Sequence, residues 1–295
     1  MLKVGYLGPE GTFSEEALLS SVTPDSVEPV PRASIYDTVV ALREGDVDQA
    51  IVPIENSLDG SISVTLDLLA DEAGDVQIVG ETLLTVRHSL IAARSVELRE
   101  IDTVLTHPQV PGQCARFLRG ELPRAQVLFA SSTAEAVREV VEDAQPGRAA
   151  LGTRLAAEIY GGTVVREGVQ DRDDNETRFV WLARAGAGAP RPAPLRRGDG
   201  DGDSNGEQPW KTSLVFWGAG ADSPGWLVRC LNEFARRDIN LTKIESRPRR
   251  ERLGHYMFFV DLEGGLEAER DVSDAVADVR GMCQEVRVLG SYPAA

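Results

Sequence analysis

Lysine is almost missing from this chain. Only Lys3, Lys211 and Lys243 are lysines, and the other 28 of its 31 basic residues are arginines. Against them stand 47 acidic residues, for a net charge of −16 at pH 7. That balance disfavours nucleic acid and anionic membranes as partners, because both demand clustered cations. A salt-rich cytoplasm and a GC-rich genome each produce such a composition. Cysteine is scarce as well. Cys114, Cys230 and Cys283 lie too far apart in sequence for a disulfide framework or a CxxC metal pattern, and they read as buried or incidental thiols. With only His88, His107 and His255 beside them, no zinc-ligand spacing arises, so a structural zinc site is not expected. No apolar run is long enough to span a membrane, and Met1 leads into strand-like residues without a signal peptide pattern. A cytoplasmic location is therefore expected.

What the chain does have is ordinary globular material, 42% apolar and 26% charged over 295 residues, enough for two or three domains. Strand and helix signals alternate from the start. Residues 3–7 form a strand, and a turn over Gly8 to Ser14 precedes a helix with acids in its first turn. Ser34 caps a helix that Gly45 ends. Residues 50–54 form a buried strand that runs into Glu55-Asn56-Ser57, followed by a helix with Leu66 and Leu69 inward. Two strands follow between Gln77 and Ala93, then one at 102–105. Pro111 opens a helix closed by Gly120. A strand over 125–129 leads to Ser132-Thr133-Ala134-Glu135, which has the capping-box pattern. A strand at 149–152 and a helix from Thr153 to Tyr160 follow. This alternation predicts an α/β fold with mostly parallel sheets.

In such sheets ligands bind beyond the carboxyl ends of the strands. The residues at those ends here are mostly small, hydroxylated or amide-bearing, and many begin a helix, where free N–H groups attract carboxylate or phosphate. An acidic protein can hold an anion this way without lysines. Any one of these segments is also an ordinary cap or turn. Glu55-Asn56-Ser57 stands out, with a carboxylate, an amide and a hydroxyl in a row after a buried strand. Asn175-Glu176-Thr177-Arg178-Phe179 stands out too, a polar run that turns into the apolar strand Val180-Trp181-Leu182.

Residues 185–209, rich in Gly, Pro and Asp, read as a solvated linker. The Asp-rich run lacks the spacing and terminal Glu of a calcium loop. From Trp210 a compact unit follows in the order βαββαβ, the ferredoxin-like arrangement. It carries no catalytic constellation.

The ordered set Gly8-Pro9-Glu10-Gly11-Thr12-Phe13-Ser14, Pro53-Ile54-Glu55-Asn56-Ser57 with Gly60-Ser61, His107-Pro108-Gln109 with Gln113-Cys114, Ser131 to Ala136, and Asn175 to Phe179 resembles the prephenate dehydratases. Ile244-Glu245-Ser246-Arg247-Pro248 resembles the ACT regulatory domain attached to them. The resemblance implies a two-lobed catalytic domain over 1–184, like periplasmic binding proteins, with its site in a cleft, a linker over 185–209, and an ACT domain over 210–295. No chorismate mutase segment is expected before Val4.

It also implies the reaction: prephenate loses carbon dioxide and its ring hydroxyl to give phenylpyruvate, and because aromatisation drives this step the resemblance implies neither a metal nor a cofactor. Thr177 is then the residue against the leaving hydroxyl, with Asn56 and Gln113 the other catalytic candidates. Glu55, Ser57, Thr106, Ser132, Arg178 and Phe179 are substrate-binding candidates. Arg178 is either a carboxylate clamp or an ion-pair strut for Glu55, and Phe179 either shields the cleft or packs in the core. His107 is read as the only histidine near the site, in a packing or turn-forming role. The effector implied is L-phenylalanine, at Gly225, Trp226 and Leu227 with Glu245, Ser246, Arg247 and Pro248. Trp226, where the family has alanine, is expected to fill or reshape that pocket. ACT pairing implies a homodimer or homotetramer. An arogenate dehydratase and a non-catalytic amino-acid-sensing binding protein are the other readings.

Overall fold

The computed structural model describes all residues except 24, 187–207, 219–222 and 252. Most of the 185–209 linker, including its Asp-rich run, thus lies outside the described residues. In chain order, β1 (Leu2–Leu7) and α1 (Phe13–Ser21) are followed by β2 (Val27–Arg32), α2 (Ile35–Glu44), β3 (Gln49–Asn56), β4 (Gly60–Ser61) and α3 (Ser63–Asp67). A π-helical turn, Leu68–Glu72, leads to β5 (Val76–Thr85) and β6 (Ser89–Ala92). Next come β7 (Thr103–Thr106), α4 (Val110–Gln113), α5 (Ala115–Glu121), β8 (Gln126–Phe129), α6 (Thr133–Asp143), β9 (Arg148–Gly152), α7 (Arg154–Tyr160), β10 (Thr163–Arg166) and β11 (Glu176–Arg184). The C-terminal elements are β12 (Trp210–Trp217), α8 (Trp226–Ala235), β13 (Leu241–Pro248), β14 (Tyr256–Glu263), α9 (Arg270–Met282) and β15 (Glu285–Pro293).

Three sheets result. The first has the order β2-β1-β3-β11-β5, with β4 on β3; β1 pairs in parallel with both β2 and β3. The second has the order β10-β6-β9-β7-β8 and is mixed, since β6 runs antiparallel to β9 and β10 while β7 is parallel to β8 and β9. The third, β13-β14-β12-β15, is antiparallel throughout and carries α8 and α9, which completes the βαββαβ order.

The caps behave as the local sequence dictates. Ser34 and Ser132 each accept the backbone N–H three residues on, at 3.0 Å, and Gly45 closes α2 in the left-handed region. Glu135 does not complete the box at Ser132; its carboxylate takes Arg138 instead, at 2.6 and 3.0 Å.

Three features depart from the sequence reading. Pro29 and Pro31 hide β2, yet they are tolerated because β2 is an edge strand. The helix expected from Pro111 to Gly120 is broken at Cys114, whose φ of −122° and ψ of 25° leave the helical region. The cysteines are not all isolated: Cys230 and Cys283 bring their sulfurs to 3.8 Å.

The chain divides into two compact units. The first holds Met1–Thr65 and Thr82–Phe179. The second joins Leu66–Glu81 and residues 180–186 to 208–295. Within the first, two apolar clusters flank the second sheet, one around Leu90, Val104 and Cys114 and the other around Ile91, Val137 and Ala156. Burial of Cys114, with Asp171 nearby, pushes its thiol up to about 12. The second unit has its own core around Phe216, Trp226, Phe234 and Val276. Among the described residues, no helix is long and apolar enough to cross a membrane.

Candidate active site

A cleft of about 880 Å³ opens within the first unit. Its walls come from the loop after β1 (Gly8 to Ser14), the β3 end with Asn56 and Asp59, the β5–β6 junction with Val86 and His88, the loop after β7 with His107 and Gln113, and the α6 entrance with Ser131 to Thr133. Thr177, near the start of β11, completes the wall. The loop after β1 is held open by its own bonds. Gly11 N donates to Glu15 Oε2 at 2.5 Å and Thr12 Oγ1 to Leu7 O at 2.9 Å. Gly11 has φ +83°, and a Cβ there would lie 2.8 Å from Ala156, so no side chain fits.

At the centre lies a fixed amide–hydroxyl network. Asn56 Oδ1 accepts the N–H groups of Leu58 at 2.9 Å and Asp59 at 3.0 Å, an Asx turn that settles which way its amide faces. Its Nδ2 therefore donates: to Asn175 Oδ1 at 2.8 Å, to Glu176 O at 3.2 Å and to Thr177 Oγ1 at 2.9 Å. Because Thr177 Oγ1 accepts this bond, its own proton is left to point elsewhere. Asn175 Nδ2 reaches Gln113 Oε1 at 3.4 Å, and Gln113 Nε2 donates to Asp59 Oδ2 at 3.1 Å. His88 closes the chain from the far side, its Nε2 lying 2.9 Å from Gln113 Oε1.

The structure sorts the sequence candidates. Asn56, Gln113, Thr177 and Ser132 line the cleft; Glu55, Ser57, Thr106, Arg178 and Phe179 do not. Thr106 is fully buried and spends its hydroxyl on Leu151 O at 2.9 Å. Phe179 is 2% exposed and belongs to the core. Ser57 laces two loops, its Oγ accepting Glu176 N at 3.0 Å and donating to Asp174 O at 3.3 Å. Arg178 forms an ion pair with Glu55 at 3.7 Å.

The reading of His107 as the only nearby histidine is corrected, because His88 lines the cleft too. His107 Nδ1 accepts the N–H of Gln109 at 3.5 Å, a loose turn bond, and burial lowers the pKa of both rings. Asn175, Asp59, Arg32 and Arg138 were missed as well. Arg32 and Arg138 are the cationic side chains on the wall among the described residues. Arg138 is already taken by Glu135 and Glu142, whereas Arg32, among the described residues, pairs with Asp46 alone, at 3.6 Å. Spacing in the sequence carries no signal for Arg32, since β2 itself is masked by prolines. Among the described residues no group of three His, Cys, Asp or Glu side chains is placed to hold a metal ion.

In the second unit, Gly225 caps α8 with φ +77°, and Leu227 packs on the core. The Trp226 indole is 7% exposed, lies against Phe216 and Phe258, and donates its Nε1–H to Met282 O at 2.8 Å. It is therefore a core residue. Glu245, Ser246, Arg247 and Pro248 sit on the edge strand β13, where Arg247 pairs with Asp67.

Comparison with known proteins gives a consistent picture. The prephenate dehydratase family profile matches residues 4–187. A prephenate dehydratase of Mycobacterium tuberculosis is 38% identical over 301 residues, spanning 99% of this chain and 87% of that protein. A bifunctional chorismate mutase/prephenate dehydratase of Aquifex aeolicus is 36% identical over 295 residues, spanning 100% of this chain and 74% of that protein. A solved prephenate dehydratase of Arthrobacter aurescens, in complex with L-Phe, superimposes with a TM-score of 0.84 at 34% identity, over 99% of this chain and 90% of its own.

Proposed function

This chain belongs to the prephenate dehydratase family, and on that footing we propose that Thr177 is the hydroxyl that helps the substrate's ring hydroxyl to leave. The reaction converts prephenate to phenylpyruvate with loss of carbon dioxide and water, a decarboxylating carbon–oxygen lyase step in phenylalanine synthesis. The electron pair of the breaking C–CO2 bond enters the ring as hydroxide departs, and aromatisation drives the step. What the protein must add is a proton or hydrogen bond at the departing oxygen, and a place for two carboxylates.

One observation carries the assignment: the 2.9 Å bond from Asn56 Nδ2 to Thr177 Oγ1. It occupies a lone pair on the hydroxyl and leaves the O–H as a donor facing the cleft. A hydroxyl that accepts one bond donates a stronger one, so Asn56 polarises Thr177. Threonine is too weak an acid to ionise, so its part is hydrogen bonding or relay of a proton, worth about 10²–10⁴-fold. Gln113, Ser132, Arg32 and the first turns of α1 and α6 supply the donors for the substrate's carboxylates.

In this reading residues 1–184 are a two-lobed catalytic domain like the periplasmic binding proteins, and 210–295 an ACT regulatory domain. L-phenylalanine binds at the backbone of Gly225 to Leu227 and at Glu245 to Pro248, between paired ACT domains of a homodimer or homotetramer. The βαββαβ order supports this, as does the L-Phe in the Arthrobacter relative. A fragment ending at Ala185 should then turn over substrate without responding to phenylalanine.

The test is turnover of prephenate and of arogenate by the purified protein and by Thr177→Val and Thr177→Ser. Prephenate turnover that falls about 100-fold or more in the valine variant and largely survives in the serine variant is the expected result. No turnover of either substrate refutes the enzyme reading and leaves an amino-acid-sensing binding protein. Turnover of arogenate alone selects an arogenate dehydratase.

A further inference from the structure

We infer that His88 is a positioning residue for the reaction: held as the neutral Nε2–H tautomer, it locks the Gln113 amide and, through it, the network that ends at Thr177. The inference rests on the dehydratase reading above. Three partners fix the orientation of Gln113. Its Nε2 donates to Asp59 Oδ2 at 3.1 Å. Its Oε1 faces Asn175 Nδ2 at 3.4 Å and His88 Nε2 at 2.9 Å. If the amide were reversed, its oxygen would meet a carboxylate and its nitrogen another amide nitrogen, so it cannot turn. His88 Nε2 must then carry a hydrogen.

The other ring nitrogen settles the rest. His88 is 1% exposed, and its Nδ1 has no hydrogen-bond partner among the described residues. A proton on Nδ1 would be buried without an acceptor, so the ring is neutral with a bare Nδ1. Burial acts in the same direction, lowering its pKa. The ring cannot swing away. Phe13 packs edge-on against it, 5.3 Å between centroids at 88°. Its backbone is pinned on both sides, His88 N donating to Gln170 Oε1 at 3.1 Å and His88 O accepting from Val169 N at 3.0 Å.

The consequence runs along the network. With His88 and Asn175 on its oxygen and Asp59 on one amide hydrogen, Gln113 keeps its second amide hydrogen for a bound anion. Asn175, held by the same oxygen, presents Oδ1 to Asn56 Nδ2, which is bonded in turn to Thr177 Oγ1. A buried histidine in the wall of the site serves by placement, since it reaches Thr177 only through amides.

Substitution and tautomer spectroscopy test this together. His88→Gln puts an amide N–H near the former Nε2, His88→Asn puts it near Nδ1, and His88→Leu removes the donor. The expected kcat order is wild type, then Gln, with Asn and Leu about tenfold or more below wild type. The double variant His88→Leu with Gln113→Leu should be no slower than Gln113→Leu alone. A leucine variant within twofold of wild type, an asparagine variant as good as glutamine, or a double variant slower than Gln113→Leu alone each overturns the inference. The Gln and Asn variants preserve a polar, hydrogen-bonding side chain, so their contrast stands even if the leucine variant fails to fold. Two-bond ¹H–¹⁵N correlations of the ¹⁵N-labelled wild type should report the neutral Nε2–H form; a cationic or Nδ1–H ring overturns the inference independently of turnover. Absent prephenate turnover with the Nε2–H form intact would instead strike the dehydratase reading.

Discussion

Arg247 of β13 grips Asp67, the last residue of α3, in a bidentate contact through one edge of its guanidinium: Nε to Oδ1 at 2.8 Å and Nη2 to Oδ2 at 2.9 Å. Arg250 adds a contact to Oδ2 at 2.5 Å. Asp67 is only 14% exposed, so this is a charge-assisted fork well removed from solvent. It ties the Glu-Ser-Arg-Pro segment to the stretch that continues into the π-helical turn, where Arg287 also binds Ala70 O.

Replacing Asp67 by Asn keeps the shape and loses the charge. A loss of about 2 kcal/mol is expected in urea unfolding. If phenylalanine acts through β13, the same change should also weaken its inhibition about fivefold or more while turnover without effector stays near wild type. An unchanged inhibition curve would show that the effector's influence does not pass through Asp67.

Asn56→Asp replaces the donor to Thr177 with an acceptor. Thr177 would then turn its proton toward residue 56 and away from the cleft. A kcat about 100-fold below wild type is expected, the scale seen when one preorganised donor is removed. Near-normal kcat would remove the Asn56–Thr177 bond from the mechanism.

Trp226→Ala should empty core volume rather than alter an effector pocket. The cost expected is about 4 kcal/mol, read as a lower melting temperature for the C-terminal domain. Gly218→Ala probes the same packing from the other side, since a Cβ there would lie 2.5 Å from the indole. A stable Trp226→Ala protein with altered phenylalanine affinity would return the tryptophan to the effector site.

Local signals were enough for much of the fold. Ser34, Gly45 and Ser132 mark helix ends because capping involves residues three or four apart, and the βαββαβ order of 210–295 follows from alternating periodicities. Motif order was enough for the family and for Asn56, Gln113, Ser132 and Thr177 on the cleft wall. The prolines of β2 defeated the strand signal because edge status is a property of the whole sheet. The ion pair of Arg178 with Glu55, one of two open readings for that arginine, joins residues far apart in the chain, so only the tertiary structure shows it.

Sequence alone, then, determined what is written in short range: the charge balance, the caps, and the polar run around Thr177 where an apolar strand begins. Tertiary structure decided what depends on residues far apart in the chain. It placed Asn56 against Thr177 across 121 residues, His88 behind Gln113, Trp226 in a core and Arg178 beside Glu55. The donor that the Thr177 hydroxyl accepts from is a neighbour that no local pattern names.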